Sequence, residues 1–318
     1  MSVVIISTGG TIASTEDNGD DASPELTGND LVAALPQLKD VESIETHDFS
    51  TIPSPHFTIK QMYDLVTVIR EYNADGDTEG IVVTQGTDIL EESSYFVDLC
   101  YGGDTPVVFT GAMRNPSLPS PDGPINLLNS VRTVANDEAY GRGVLVTLND
   151  RVYAAREVTK MHSMNVDSFR SPEFGPLASV EEDRLVWRRV PENPDPTLDP
   201  TPDALTNDVV AVSVTADAPI RQVESAADSA ALVLATTGAG HIPETLIDPL
   251  TELSNAGLPL VATTRCPEGG LARHTYDFPG SEGTLSELCF HFGELNLQKT
   301  RIQTIVALAA DRLNDMFA

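Results

Sequence analysis

The sequence predicts an α/β protein: a larger N-terminal domain on a doubly wound, mainly parallel sheet, followed by a smaller C-terminal α/β domain. Three observations predict it. Short β-branched runs end in glycine or polar turns and give way to helical patterns, the signature of repeated βα units. Those runs are nearly continuously apolar rather than alternating, as strands covered on both faces are. Pro191, Pro194, Pro196, Pro200 and Pro202 crowd a stretch that can form neither helix nor central strand. This places domain one at residues 1–190, a linker at 191–203 and domain two at 204–318, and 318 residues suffice for two cores.

Taken in order, the first strand is Val3 to Ile6. Further strands are expected at Gly80 to Val83, Pro106 to Phe109, Gly143 to Thr147, Val209 to Val214, Ala231 to Ala235 and Leu258 to Ala262. The clearest helix starts after Thr58, a cap-type residue, and places Ile59, Met62, Tyr63, Val66 and Ile69 on one face. Glu91 to Leu99 and Asn126 to Ala135 supply two more. Arg151 to Val158 reads as an extended, hairpin-like addition to the first domain, and the Leu185 to Trp187 run as packing at its end. No internal repeat is visible.

Composition narrows the function classes. No apolar run approaches the roughly 20 residues that span a bilayer, and the short apolar start, Met1 to Ser7, lacks a basic leader, which predicts a cytoplasmic protein. Cys100, Cys266 and Cys289 make no paired framework and no zinc spacing, so neither a metal nor another cofactor is expected. The formal net charge is −29, with 48 acidic residues against 19 basic ones, only four of them lysine. Such a surface repels itself in dilute buffer and is relieved by salt, whose screening length falls to roughly 3 Å at about 1 M. A salt-rich cytoplasm of the haloarchaeal kind is the expectation. The same charge repels phosphates, which excludes a nucleic-acid partner.

In an open parallel sheet, ligands bind beyond the carboxyl ends of the strands where strand order reverses. Two post-strand turns carry chemistry there. Thr8-Gly9-Gly10-Thr11 follows the first strand, and Thr84-Gln85-Gly86-Thr87-Asp88 follows Gly80 to Val83; each sets a threonine hydroxyl beside glycines that let backbone N–H groups approach a bound group. Neither dinucleotide nor phosphate-loop motif occurs in the chain. Taken singly, each threonine is also what commonly caps a helix or turn.

Their combination is more specific. TGGTIAS (8–14), TQGTDILEESSYF (84–96), Gly111-Ala112-Met113-Arg114, Asp122-Gly123-Pro124-Ile125-Asn126-Leu127 and Val158-Thr159-Lys160 occur in an order and spacing that resemble the L-asparaginase family. The likeness continues to Gly238-Ala239-Gly240 and Asn296-Leu297-Gln298-Lys299. It implies a flavodoxin-like N-terminal sheet and hydrolysis of the side-chain amide of L-asparagine, with some activity on L-glutamine. It implies Thr11 as nucleophile, with Thr87, Asp88 and Lys160 as a second catalytic cluster that activates hydroxyl or water, since a threonine hydroxyl is too weak an acid to attack unaided. It implies Ser54, Pro55, Gly86 and Asp88 around the substrate, Asp88 meeting the ammonium and Ser54 the α-carboxylate. The backbone N–H groups of Gly10 and Thr87 would hold the oxyanion, and losing one such donor typically costs about 100- to 1000-fold in rate. Members assemble as homodimers or homotetramers.

The chain departs from the family pattern in places. The expected lid, Glu16 to Thr27, lacks the tyrosine many members carry. Gln85 stands where histidine is frequent, Pro55 where some members have glutamine, and His241 where asparagine is common. His162, close to Lys160 in sequence, could tune it; His47, His56, His274 and His291 show no ligand spacing. Two rival readings share the motifs: the amidase subunit of a tRNA-dependent amidotransferase, which bears an extra N-terminal domain, and a catalytically silent amino-acid sensor. TGGT at the eighth residue points away from the first.

Overall fold

The computed structural model describes residues 2–15, 23–24, 26–40, 43–192 and 194–317. The chain divides into two compact units, Met1–Thr197 and Leu198–Ala318.

The first unit is built on an eight-stranded sheet in the order Arg184–Trp187, Ala178–Glu181, Arg151–Ala154, Val144–Leu148, Val107–Thr110, Gly80–Thr84, Ser2–Ser7 and Ser43–Asp48. The last five in this order are parallel neighbours, and numbered along the chain they run 2-1-3-4-5, the flavodoxin-like order. Strand order therefore reverses between Ser2–Ser7 and Gly80–Thr84, and loops leaving those two strands part in opposite directions.

Boundaries shift from expectation for identifiable reasons. Pro106 has no N–H and stays outside its strand, though its carbonyl still accepts the Ile81 N–H at 2.9 Å. Ser43–Asp48 is a strand that apolar patterning misses, because it lies at the sheet edge with an exposed and half-buried SIETHD sequence. The expected hairpin forms: Arg151–Ala154 pairs antiparallel with Val144–Leu148 across Asn149 and Asp150, both at positive φ (50° and 57°) as a two-residue primed turn requires. Trp187 packs against the first unit's core and donates its indole N–H to Asn136 at 3.0 Å, with the Arg142 guanidinium 4.2 Å over its ring.

One face of the sheet presents Val3, Ile5, Val82, Val108 and Leu145 to Leu127, Leu128, Val131 and Val134 of helix Gly123–Val134. By alternation Val4, Ile6, Ile81, Val83, Phe109 and Val146, all buried, face the other side, where Leu90–Tyr101 packs on the strands and Ile59–Asp75 packs on it. Burying each such side chain contributes about 1.5–3 kcal/mol. Helix Ile59–Asp75 opens with a reciprocal capping box between Thr58 and Gln61 and closes on Gly76 in the left-handed conformation. Its buried stripe is Ile59, Met62, Leu65, Val66 and Ile69; Leu65 occupies the core where Tyr63, half-buried, was expected to contribute. Of the stretch read as a lid, residues 16–22 and 25 lie outside the described residues; Thr27 at its end caps helix Gly28–Ala33.

The second unit carries a four-stranded parallel sheet, Val209–Ser213, Ala231–Thr236, Leu260–Thr264 and His291–Phe292 in that order. The third strand starts two residues later than expected because Pro259 cannot donate; its carbonyl takes the Leu232 N–H at 3.0 Å. Leu232, Leu234, Leu246, Leu250, Leu260 and Leu285 form its core.

Inside the first unit Tyr95 is fully buried and donates its hydroxyl to Asp195 at 2.5 Å, and Arg156 Nε donates to the same carboxylate oxygen at 2.9 Å. Burial first, then the Asp195 charge, pushes the Tyr95 phenol well above its ordinary value of 10.0. The unfolded chain therefore ionises this group at lower pH than the folded one. Its contribution to stability is complete below about pH 10 and is lost as pH climbs toward the raised folded value. Melting temperature followed from pH 8 upward should fall beyond about pH 10, and Tyr95→Phe should flatten that decline.

Candidate active site

Four loops at the carboxyl ends of adjacent strands meet through backbone contact. Thr8, leaving Ser2–Ser7, donates both its N–H (3.0 Å) and its hydroxyl (2.9 Å) to the Thr84 carbonyl, which ties the first loop to the end of Gly80–Thr84. Gly9 and Gly10 follow at φ 92° and 91°. A Cβ on Gly9 would lie 2.8 Å from the Ile52 carbonyl oxygen, and one on Gly10 would lie 2.2 Å from the Gly86 nitrogen. A Cβ on Gly86 would lie 2.6 Å from Ser54 Oγ and 3.2 Å from Gly10 Cα. Only glycines allow this approach, in space and, for Gly9 and Gly10, in backbone conformation. The threonines that follow, Thr11 and Thr87, thus leave a common point.

The expected residues fall as follows. Thr11 opens the 3-10 turn Thr11–Ala13 with its side chain half-buried, and Ser14 Oγ steadies the turn by donating to the Gly10 carbonyl at 2.9 Å. Thr87 is buried, whereas the Asp88 side chain is 63 % exposed. Lys160 comes from the short strand Thr159–Lys160, paired with Phe169–Arg170, and its Nζ donates to Thr87 Oγ1 at 2.9 Å and to Asp88 Oδ1 at 2.8 Å. Ser54 is buried beside Gly86 in the turn Ser54–His56, and Pro55 stands exposed in the same turn. An ion pair with one partner so exposed contributes at most about 1 kcal/mol to folding. What the Lys160–Asp88 pair does is set the lysine cation against the Thr87 hydroxyl, with the Asp88 carboxylate on the far side of Nζ as its second partner.

The fourth loop closes over the second. A Cβ on Gly111 would meet the Gln85 carbonyl oxygen at 2.5 Å and Thr87 Cγ2 at 3.1 Å. Asp122 holds this loop by accepting the N–H groups of Met113 (3.1 Å) and Arg114 (2.8 Å), and Asn126 donates to the Gly111 carbonyl at 3.0 Å while accepting the Asn149 N–H at 3.0 Å. Asp122, expected only as part of a motif, and Asn126, expected in that motif and as a helix start, shape the wall beside Thr87. Glu91, expected only as the start of a helix, does more. It is 4 % exposed, and its Oε2 accepts the Lys160 N–H at 2.6 Å.

His162 serves its own loop: Nδ1 accepts the N–H groups of Met164 and Asn165, each at 3.0 Å. His241, in the second unit, is ringed by Tyr276 and Phe278 at centroid distances of 4.8 and 4.9 Å, with Nε2 3.5 Å from Glu282 Oε2. Burial of the Glu282 carboxylate pushes its pKa up, but backbone N–H donation from Tyr276 and Thr275, together with His241, outweighs this and holds it below its ordinary value. Among the described residues no three His, Cys, Asp or Glu side chains gather as a metal site would require, and no helix is long and apolar enough to cross a membrane.

Comparison with known proteins adds to this geometry. A family model described as asparaginase, N-terminal, matches residues 2–193, and one described as glutaminase/asparaginase C-terminal domain matches residues 208–316. The chain is 32% identical to the glutaminase-asparaginase of Pseudomonas aeruginosa over 96% of its own length and 86% of that protein. It is 32% identical to L-asparaginase 2 of Escherichia coli over 96% and 88%. Among solved structures, a probable cytoplasmic L-asparaginase from Campylobacter jejuni superposes with a TM-score of 0.86 at 31% identity, covering 99% of this chain and 98% of the other.

The Gly10–Gly86 contact generates a sharp expectation. Gly10→Ala forces a methyl group into peptide backbone and asks a non-glycine residue to hold φ near 91°, so the two loops must part. Any turnover should drop at least about 100-fold, as a misplaced reacting group of about 1 Å implies, and a crystal structure of the variant should show Thr11 displaced from the Gly86–Thr87 segment.

Proposed function

The chain belongs to the asparaginase family, and from that premise we propose that it hydrolyses the side-chain amide of L-asparagine to L-aspartate and ammonia through a threonine nucleophile. The observation that carries this reading is Lys160 Nζ, within hydrogen-bond distance of both Thr87 Oγ1 and Asp88 Oδ1, on the loop whose Gly86 touches Gly10 next to Thr11.

Thr11 Oγ attacks the carboxamide carbon while the carbonyl oxygen gains negative charge and is held by backbone N–H groups at Gly10 and Thr87. The proton lost by Thr11 reaches the amide nitrogen, the C–N bond breaks, and ammonia departs from an aspartyl ester of Thr11. Water then attacks the ester; its proton passes through the Thr87–Lys160–Asp88 cluster and ends on the Thr11 oxygen, which leaves as hydroxyl. A lysine flanked by a carboxylate suits this relay when its amine is neutral, because Nζ then takes the Thr87 hydroxyl proton as Thr87 Oγ1 takes one from the water, and the ammonium so formed gives its proton up again. Asp88, the most exposed member, also meets the substrate ammonium, and Ser54 meets the α-carboxylate beside Gly86. L-Glutamine is a second substrate, in keeping with the names of the glutaminase-asparaginase relatives. The working form is a cytoplasmic homodimer or homotetramer.

Coupled ammonia release at molar salt is the test. Thr11→Ala and Lys160→Met should each lower kcat by about 1000-fold or more while leaving the melting temperature within a few degrees, the scale expected when a member of a nucleophile–base unit is removed. Wild-type protein that binds asparagine without releasing ammonia would favour the sensor reading and sink this one.

The acidic surface belongs to the same proposal: the protein works in concentrated salt. A net charge of −29 is screened over about 8 Å at physiological ionic strength and about 3 Å at 1 M. The melting temperature should therefore rise on moving from about 0.1 M to molar potassium chloride; one that stays flat or falls refutes the adaptation without touching the chemistry.

A further inference from the structure

Resting on the reading of Thr87, Lys160 and Asp88 as the proton-relay cluster, we propose that Glu91 is a positioning residue for that cluster, acting through the backbone of Lys160 to keep its ammonium in reach of both partners. Lys160 arrives from far along the chain, 73 residues from Thr87, on a strand of only two residues. Such a ladder is too short to fix a Cα by itself. It is held on one side by Phe169–Arg170 and on the other by the Glu91 carboxylate, which takes the Lys160 N–H at 2.6 Å.

Three side chains that grip Lys160 come from a single stretch of five residues. Thr87 and Asp88, in the turn before the helix, hold Nζ, and Glu91, in the first turn of the helix, holds the backbone nitrogen. Both ends of the lysine are therefore referred to one short segment, so the distance between its Cα and its targets is set locally although the residue is distant in sequence. Four side-chain torsions separate Cα from Nζ. Without the backbone anchor, a shift of the strand by an ångström or two is enough to break one of the two contacts at Nζ.

Glu91 is suited to this use. It lies in the first turn of Leu90–Tyr101, where the unpaired N–H groups and the dipole of the helix favour a negative charge. At 4 % exposure it has little rotational freedom, and a charge-assisted bond is about twice as strong as a neutral one. The carboxylate reaches Lys160 at its backbone N–H, so its removal should move the relay without entering the substrate site.

The experiment compares Glu91→Gln, Glu91→Asp and Glu91→Leu in the full-length protein. Gln keeps an acceptor oxygen at the same reach and should retain kcat within about fivefold; Leu fills the space without an acceptor and should lose about 100-fold in kcat with KM changed less than threefold, the penalty of a small misplacement. Asp, one methylene shorter, should fall between them and serves where Leu does not fold. Added to Lys160→Met, Glu91→Leu should cost less than about twofold more, because the two act as one unit. Crystal structures give a readout independent of turnover: in Glu91→Leu or Glu91→Asp the Lys160 Nζ should leave Thr87 Oγ1 or Asp88 Oδ1. Wild-type protein that releases no ammonia overturns the reading of the site. A lysine that keeps both contacts without Glu91, or losses that add fully to those of Lys160→Met, overturns the role given to Glu91.

Discussion

Everything at the candidate site depends on two peptide backbones touching. Gly10 and Gly86 approach so closely that a single methyl group on either would strike the other loop or Ser54. This contact occurs where the parallel sheet changes direction, between its first and third strands in chain order, and that is where the fold leaves a crevice. The sheet supplies the rigidity: Ser2–Ser7 and Gly80–Thr84 are almost wholly buried, and Thr8 is hydrogen-bonded twice to the end of the neighbouring strand. Loops held by such strands can keep hydroxyl groups in place at little further entropic cost.

Much of this is legible in the sequence, and the exceptions have physical causes. Strands buried on both faces write themselves as apolar runs, so Ile81–Val83 and Val107–Phe109 are readable, and a β-branched run ending in Thr-Gly-Gly or Thr-Gln-Gly identifies a turn at a strand's carboxyl end. Ser43–Asp48 is not readable, because an edge strand with one partner and an exposed rim carries polar residues at most positions. Glu91 escapes for the opposite reason. An acidic residue in a first helical turn looks like an ordinary solvated complement to the helix dipole, and only packing reveals that it is buried against Lys160. The surroundings of His241 escape as well, since Tyr276, Phe278 and Glu282 come from a later segment with no periodic pattern to announce it.

Electrostatics divides cleanly between surface and site. Exposed pairs such as Lys60 with Asp64 or Arg170 with Asp167 each contribute about 1 kcal/mol or less and cannot offset the repulsion of a chain with net charge −29. At the site, by contrast, one lysine of the chain's four is held between a hydroxyl and a carboxylate with its side chain 15 % exposed. Salt screens the Lys160 ammonium less than it does the surface charges, although the Asp88 carboxylate it meets stays largely in water.

The long sequence separations within the site have a consequence for how the molecule comes into being. Thr8 and Thr84 are 76 residues apart, and Thr87 waits another 73 for its lysine, which sits beyond the antiparallel hairpin that extends the sheet. A nascent chain that has emerged only as far as the fourth parallel strand already owns both threonine turns, yet it lacks the lysine whose ammonium meets Thr87 and Asp88. The contacts that Lys160 makes with Thr87 and Asp88 thus form at one late step, and a chain released before that step carries both threonine turns without them.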